Sequence, residues 1–358
     1  MEQAARPRAW HVLARGQYDM PELDRPVGPD RALEGVLAFG DSRPRSRLGL
    51  AQWVTDPLNP LTARVAVNRL WAICFGRGLV PTVENFGVQG ESPSHPQALD
   101  ILAADFVRGG WDVKATLRRI VLSATFRQAS TASAELRAKD PLNLLLSRGP
   151  SVRLSAEAIR DQALAASGLL VERVGGPSVK PYQPAGIWED AGANAQGNGG
   201  YVPDTGDNAH RRSLYTYRKR TAPPPSMLAF DAGSREVCQA RRLPTNTPLQ
   251  ALVLMNDRVY FECARALAVR AAKESLDEPR ASVRRAFALL AAREARAAEA
   301  SALDELYDRL LVQYRDDPAG VKGVLSEGVA EGQRTAHLAS LTLVCSTIIA
   351  SDAVVTSR

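Results

Sequence analysis

Nothing in this chain is both long and apolar. Hydrophobic residues make up 45% of its 358 positions, but they never run together for the ~18 residues that a membrane-spanning helix needs. The opening stretch, MEQAARPRAWHVLARG, lacks the apolar centre of a secretory leader. Cysteine is scarce. Cys74, Cys238, Cys263 and Cys345 stand far apart, with no CxxC and no CxxCH, which excludes a zinc finger and covalent haem attachment within the chain. All four are expected to be buried small hydrophobes, and no metal or cofactor is expected in this chain. HxH, HExxH and GxSxG are missing too, so no metalloprotease or nucleophile-elbow signature is present.

Charge is present but unevenly placed. The net charge is +6. Between Asn208 and Arg242 eight basic residues (Arg211, Arg212, Arg218, Lys219, Arg220, Arg235, Arg241, Arg242) face two acidic ones, Asp231 and Glu236, and 8 − 2 = +6 equals the whole-chain value. The positive field therefore has one address. No helix-turn-helix, finger or RNA-binding-sheet signature accompanies it, so nucleic acid is not an expected partner.

The remaining pattern predicts a mainly α protein with a small β element and long loops. Residues 1–45 read as an extended arm, with Val12 and Leu13 in a short β-like run before a Pro/Gly/Asp-rich tract. From Ser46 onward we expect a single helical domain to 358. Ser46, Asn59, Asp112 and Ser155 are N-cap residue types placed ahead of apolar periodicity. Pro60, Pro96 and Pro248 sit where a first helical residue needs no N–H donor. One helix is predicted from Asp112 through FRQAS, with Leu117, Val121 and Phe126 inward. Residues 183–208 read as a glycine-rich surface loop, SLYTY (213–217) as a strand, and Pro223–Pro225 as extended polyproline.

Several long motifs carry a resemblance. LAQWVTDPLNPLTARVAVNRLWAICFGRGLVPTVENFGVQGESPSHPQALDILAADFV, GWDVKATLRRIVLSATFRQAS and RRSLYTYRKRTAPPPSMLAFDAGSREVCQARRLPTNTPLQALVLMND resemble successive blocks of a planctomycete-type C-terminal domain of unknown function, the PSD family. The likeness runs from Ser46 to about Arg270 and loosely beyond. It implies a long exported protein, periplasmic or extracellular, with a cytochrome c-like haem domain upstream. Where members carry aromatics, this chain has His210 and Arg218, and its tail SDAVVTSR keeps only Asp352 of an acidic pair. The resemblance brings fold and context but no chemistry.

The strongest site candidate is the basic block. Arginine and lysine interleaved with Tyr215 and Tyr217 suit a polyanion, because guanidinium binds sulfate or carboxylate in bidentate fashion. Arg211, Arg212, Lys219, Arg220, Arg241, Arg242 and the helix start at Thr247 are therefore expected to line an anion site. The same arginines could instead be struts to Asp231, Glu236 and other carboxylates. Asp231 and Glu236 are also candidate acid/base residues, with His95 and His210 weighed beside them. Arg64, Asn68 and Arg69 are expected to hold the connector ENFGVQGE. Two functions fit: a non-catalytic binding or scaffold module recognising an anionic polysaccharide, or a hydrolase or lyase acting on one.

Overall fold

The computed structural model describes residues 9–27, 36–190 and 200–357. It is mainly helical, with two small two-stranded sheets among the described residues. Where the sequence suggested one domain from 46 onward, the chain divides into two compact units, Met1–Pro150 and Ser151–Arg358.

In the N-terminal unit, β1 (His11–Leu13) pairs antiparallel with β2 (Pro21–Pro26), so the arm supplies a hairpin. The helices α1 (Arg47–Val54), α2 (Pro60–Phe75), α3 (Pro96–Arg108), α4 (Val113–Leu122) and α5 (Ala134–Lys139) follow. Their caps lie where the sequence put them: Ser46 Oγ accepts from Gly49 N–H, and Asn59 Oδ1 from Leu61 and Thr62. Val67, Trp71, Leu99, Phe106 and Ile120 form the core. Asn68, expected to hold the connector ENFGVQGE, is wholly buried, where its side-chain amide bonds the Val80 backbone in both directions at 2.8 and 3.0 Å. It holds the connector at 80 rather than at 84–91, while Arg64 turns to Asp100 on α3 (2.7 Å). α4 stops at Leu122, short of the predicted helix. Ser123 leaves helical geometry, donates to Ile120 O and accepts from Phe126 N–H, the local competition that serine offers a helix end. Its inward residues are Thr116 and Ile120, and Val121 is exposed.

The C-terminal unit is built around α14 (Ala336–Ile349), preceded by β3 (Val152–Arg153), α6 (Ala156–Ser167), α7 (Ile187–Asp190), α8 (Pro225–Leu228), α9 (Pro248–Asn256), α10 (Arg258–Glu274), α11 (Pro279–Ala291), α12 (Ala297–Arg315) and α13 (Pro318–Val324), and followed by α15 (Asp352–Val355) and β4 (Thr356–Ser357). α14 is buried nearly all round, as an apolar helix must be when neighbours surround it. Ser340 and Thr342 survive there because each hydroxyl donates to the carbonyl four residues back. α10 lays Ala264, Ala268 and Ala271, all fully buried, into the same core. β3 and β4 pair antiparallel, tying the two ends of the unit together.

Of the four cysteines, Cys263 and Cys345 are buried and Cys74 half-buried, but Cys238 is exposed, which corrects the expectation for that residue. Burial pushes the Cys263 thiol up to about 12, against a smaller opposing hydrogen bond from Ser167. Leu341 has no exposed surface, so Leu341→Ala should destabilise this unit by about 2–5 kcal/mol. Leu249 is 59% exposed, and its alanine variant should stay within about 0.5 kcal/mol of the parent in urea unfolding.

Candidate functional site

α6 begins at Ser155, whose Oγ accepts from Ala158 N–H. One helical face then carries Glu157, Arg160 and Asp161, three and four residues apart. All three reach the basic block. Glu157 receives Arg242 in bidentate fashion (2.7 and 3.1 Å) and Arg218 at 2.7 Å. Arg160 donates to the carbonyls of Ala209 and Arg211 and to Ser213 Oγ (2.7, 2.9 and 3.2 Å). Asp161 accepts from Ser213 N–H at 2.7 Å and from Arg212 Nε at 3.4 Å.

Burial would raise the Glu157 pKa. The hydrogen bond from Arg242, Glu157's own backbone N–H and the charges of Arg242 and Arg218 outweigh it and hold the carboxyl at about 2. Arg218 also meets Met227 Sδ at 3.0 Å.

The predicted anion residues are therefore dispersed rather than gathered round one pocket. Arg211 is wholly buried, donating to the carbonyls of Arg173, Gly175 and Pro177 and lying 3.8 Å over the Tyr215 ring. Gly175 and Gly176 both have positive φ, the conformation glycine adopts without cost, which bends that carbonyl loop around the guanidinium. Arg212 lies on Asp161 and Arg242 on Glu157. Arg241 is at the surface and engaged by a neighbour. The α9 start is closed by its own chain: Gln250 Oε1 accepts from Thr247 N–H (3.3 Å), while its Nε2 donates to Ala229 O and Thr245 Oγ1. Arg220 is exposed, with no hydrogen bond or ion pair from its side chain among the described residues.

The acid/base candidates are likewise apart. Asp231, at φ 59°, takes both the N–H and the hydroxyl of Thr245 (2.7 and 3.0 Å), and Glu236 is exposed. His210 Nε2 lies 3.0 Å from Glu262, and His95 lies beside Ser94 at the start of α3. No group of three metal-ligating side chains occurs among the described residues.

The strand and loop expectations also change. Ser213–Tyr215 is a single 3₁₀ turn, flanked by isolated bridges of Val171 with Arg211 and Val179 with Thr216. Pro225 opens α8, so the proline run is extended only at its start. Within 183–208, residues 191–199 lie outside the described set, but Gln183 and Trp188 are buried. Trp188 Nε1 donates to Gln183 Oε1 (3.1 Å), its ring lies 5.1 Å from Tyr201 and 5.8 Å from Tyr217, and Lys219 Nζ stands 4.8 Å over it. Lys180 Nζ is 5.9 Å from the Tyr217 ring. This aromatic and basic face was hidden in sequence, since its members come from 180, 188, 201, 217 and 219. The α6 clasp had one visible signal, ExxRD, at Glu157, Arg160 and Asp161.

A family model described as PSD1, protein of unknown function (DUF1553), matches residues 46–307. No curated protein and no solved structure matches the chain.

Because the folded Glu157 pKa lies below its ordinary 4.5, folding favours the ionised form. The resulting stabilisation is complete above that value and is lost as pH falls from 4.5 towards 2, in total about 3 kcal/mol. Glu157→Gln should lower stability at pH 7 and flatten this acid limb in urea titrations. Parallel losses in both proteins would assign the limb to other carboxylates.

Proposed function

We propose a function for a chain that belongs to the PSD1 family of proteins of unknown function: its C-terminal unit is a non-catalytic binding module that holds an anionic polysaccharide. The binding face is Lys180, Tyr201, Tyr217, Lys219 and Arg220, underlain by the buried Trp188. The observation that carries this reading is the sorting of the basic residues. Arg218 and Arg242 are both ion-paired to Glu157, whereas Lys219 and Lys180 stand over aromatic rings and Arg220 is exposed. Aromatic surface beside unneutralised cations suits a sugar ring bearing a carboxylate or sulfate.

A hydrolase or lyase needs a carboxylate or histidine able to exchange a proton near neutral pH. Glu157 is held ionised well below that range, and Asp161 and Asp231 are engaged by backbone N–H groups. These contacts favour binding over catalysis. The exported setting and the cytochrome c-like neighbour implied by the resemblance belong to the same proposal.

Affinity electrophoresis against polygalacturonate, dextran sulfate and neutral dextran tests it. Lys219→Ala and Arg220→Ala should each weaken binding to both charged polymers by about tenfold, the scale of one charged hydrogen bond, with melting temperature nearly unchanged. Arg242→Ala should do the reverse, lowering melting temperature while leaving polymer affinity intact. Unaltered affinity in the first two variants would assign the face a structural role.

A further inference from the structure

Next to the aromatic face, within the same unit, a narrow cleft is lined by Arg160, Gln183, Thr216, Asp257 and Tyr260, with Tyr182 and Tyr201 among its remaining walls. Arg160 is 5% exposed, Gln183 6% and Thr216 8%. Each leaves one buried atom without a hydrogen-bond partner among the described residues: Arg160 Nε, Gln183 Nε2 and Thr216 Oγ1. Buried polar groups are ordinarily satisfied, so three on one cleft call for an explanation. Their chemistry is also defined. Trp188 Nε1–H can only donate, so the Gln183 atom facing it is the oxygen, and the unpartnered atom is the NH₂. Arg160 Nε–H can only donate, and the threonine hydroxyl can do so as well. The cleft offers three donors.

Charge points the same way. Arg160 is buried, yet its bonds go to two carbonyls and a hydroxyl, and it makes no ion pair among the described residues. A buried cation is normally paired. Asp257 lines the cleft, but its carboxylate faces the N–H groups of Val259 and Tyr260 at the start of α10. Burial raises its pKa, while those N–H groups and the Arg160 charge pull it back.

We propose that this cleft is a carboxylate subsite, taking a uronate group of the polymer that rests on the neighbouring aromatic face, with Arg160 Nε, Gln183 Nε2 and Thr216 Oγ1 donating to its oxygens. The free space is about 20 Å³. At ~10–15 Å³ for a water-sized group, that admits the leading oxygen of a planar carboxylate more readily than a tetrahedral sulfate. Tyr201 links the two regions, lining the cleft while its ring packs on Trp188. The inference rests on the binding reading above and adds a preference for uronate over sulfate.

Thr216→Val and Gln183→Glu test it without touching the Arg160 bonds to the backbone. Valine matches the shape of threonine, and glutamate keeps an oxygen for Trp188 while placing a negative charge at the cleft. Both variants, with the parent protein, are titrated calorimetrically with oligogalacturonate, dextran sulfate and monomeric galacturonate, and melting temperatures are recorded. The expected result is at least about tenfold weaker oligogalacturonate binding in each variant, dextran sulfate affinity unchanged, and no loss of melting temperature in Thr216→Val. Unchanged oligogalacturonate affinity in both variants, with Lys219→Ala still weakening it, overturns the subsite and leaves the aromatic face standing, the cleft then holding an ordered water only. Galacturonate that stabilises the parent but not Thr216→Val, without polymer binding, supports the subsite and overturns the polymer reading. No response to any uronate overturns both.

Discussion

Glu157 engages two arginines at once, and the placement of the C-terminal unit's central segment follows from that. The residue sits in the first turn of α6, where the helix dipole already favours a carboxylate. Its two oxygens accept from Arg242 and Arg218, which are 24 positions apart in sequence. Fixing both brings the two ends of an irregular stretch against one helix turn. Arg160 and Asp161, one turn on, secure the backbone at 209, 211 and 213. A segment with almost no regular hydrogen bonding is thus positioned by a helix. Removing Glu157 would leave two partly buried guanidinium groups uncompensated, which costs far more than the pairing gains over an apolar substitute.

This arrangement divides the basic residues by role. Charge alone draws no such line, since all eight read alike in sequence. Their depth separates them. Arg211 lies inside among carbonyls, and Arg218 and Arg242 share Glu157, whose charge offsets one of their two. Lys219 and Lys180 lie over aromatic rings instead, interactions that leave the cation able to meet a second, anionic group. The concentration of charge near 211–242 therefore divides between residues that hold a loop-rich segment to α6 and residues such as Lys219 that lie on aromatic rings instead.

The helices were legible because their signals are local. Ser46, Asn59, Asp112 and Ser155 each satisfy N–H groups two or three residues away, and the sequence displays that distance directly. SLYTY was misread for the opposite reason. Its alternation looks like a strand, but Ser213 and Thr216 are the buried members and Leu214 is 74% exposed, a spacing set by partners on α6 and at Val179. Those partners lie 37 to 53 positions away, beyond any local period. Asn68 shows the same limit in the N-terminal unit: a polar side chain on a helix reads as surface until the backbone it bonds, at Val80, is known.

Arg160 and Arg211 show how far burial alone carries a functional argument. Both are nearly inaccessible guanidinium groups without a carboxylate partner, and both leave Nε unbonded. Arg211 is enclosed by the 173–177 carbonyls and the Tyr215 ring, which supply the electron-rich surroundings a buried cation requires. Arg160 has comparable carbonyl support, but it also lines an opening, together with two other unsatisfied polar groups. The first arrangement is complete within the fold. The second leaves donors unpaired at an opening, which is the difference that the proposed carboxylate subsite rests on.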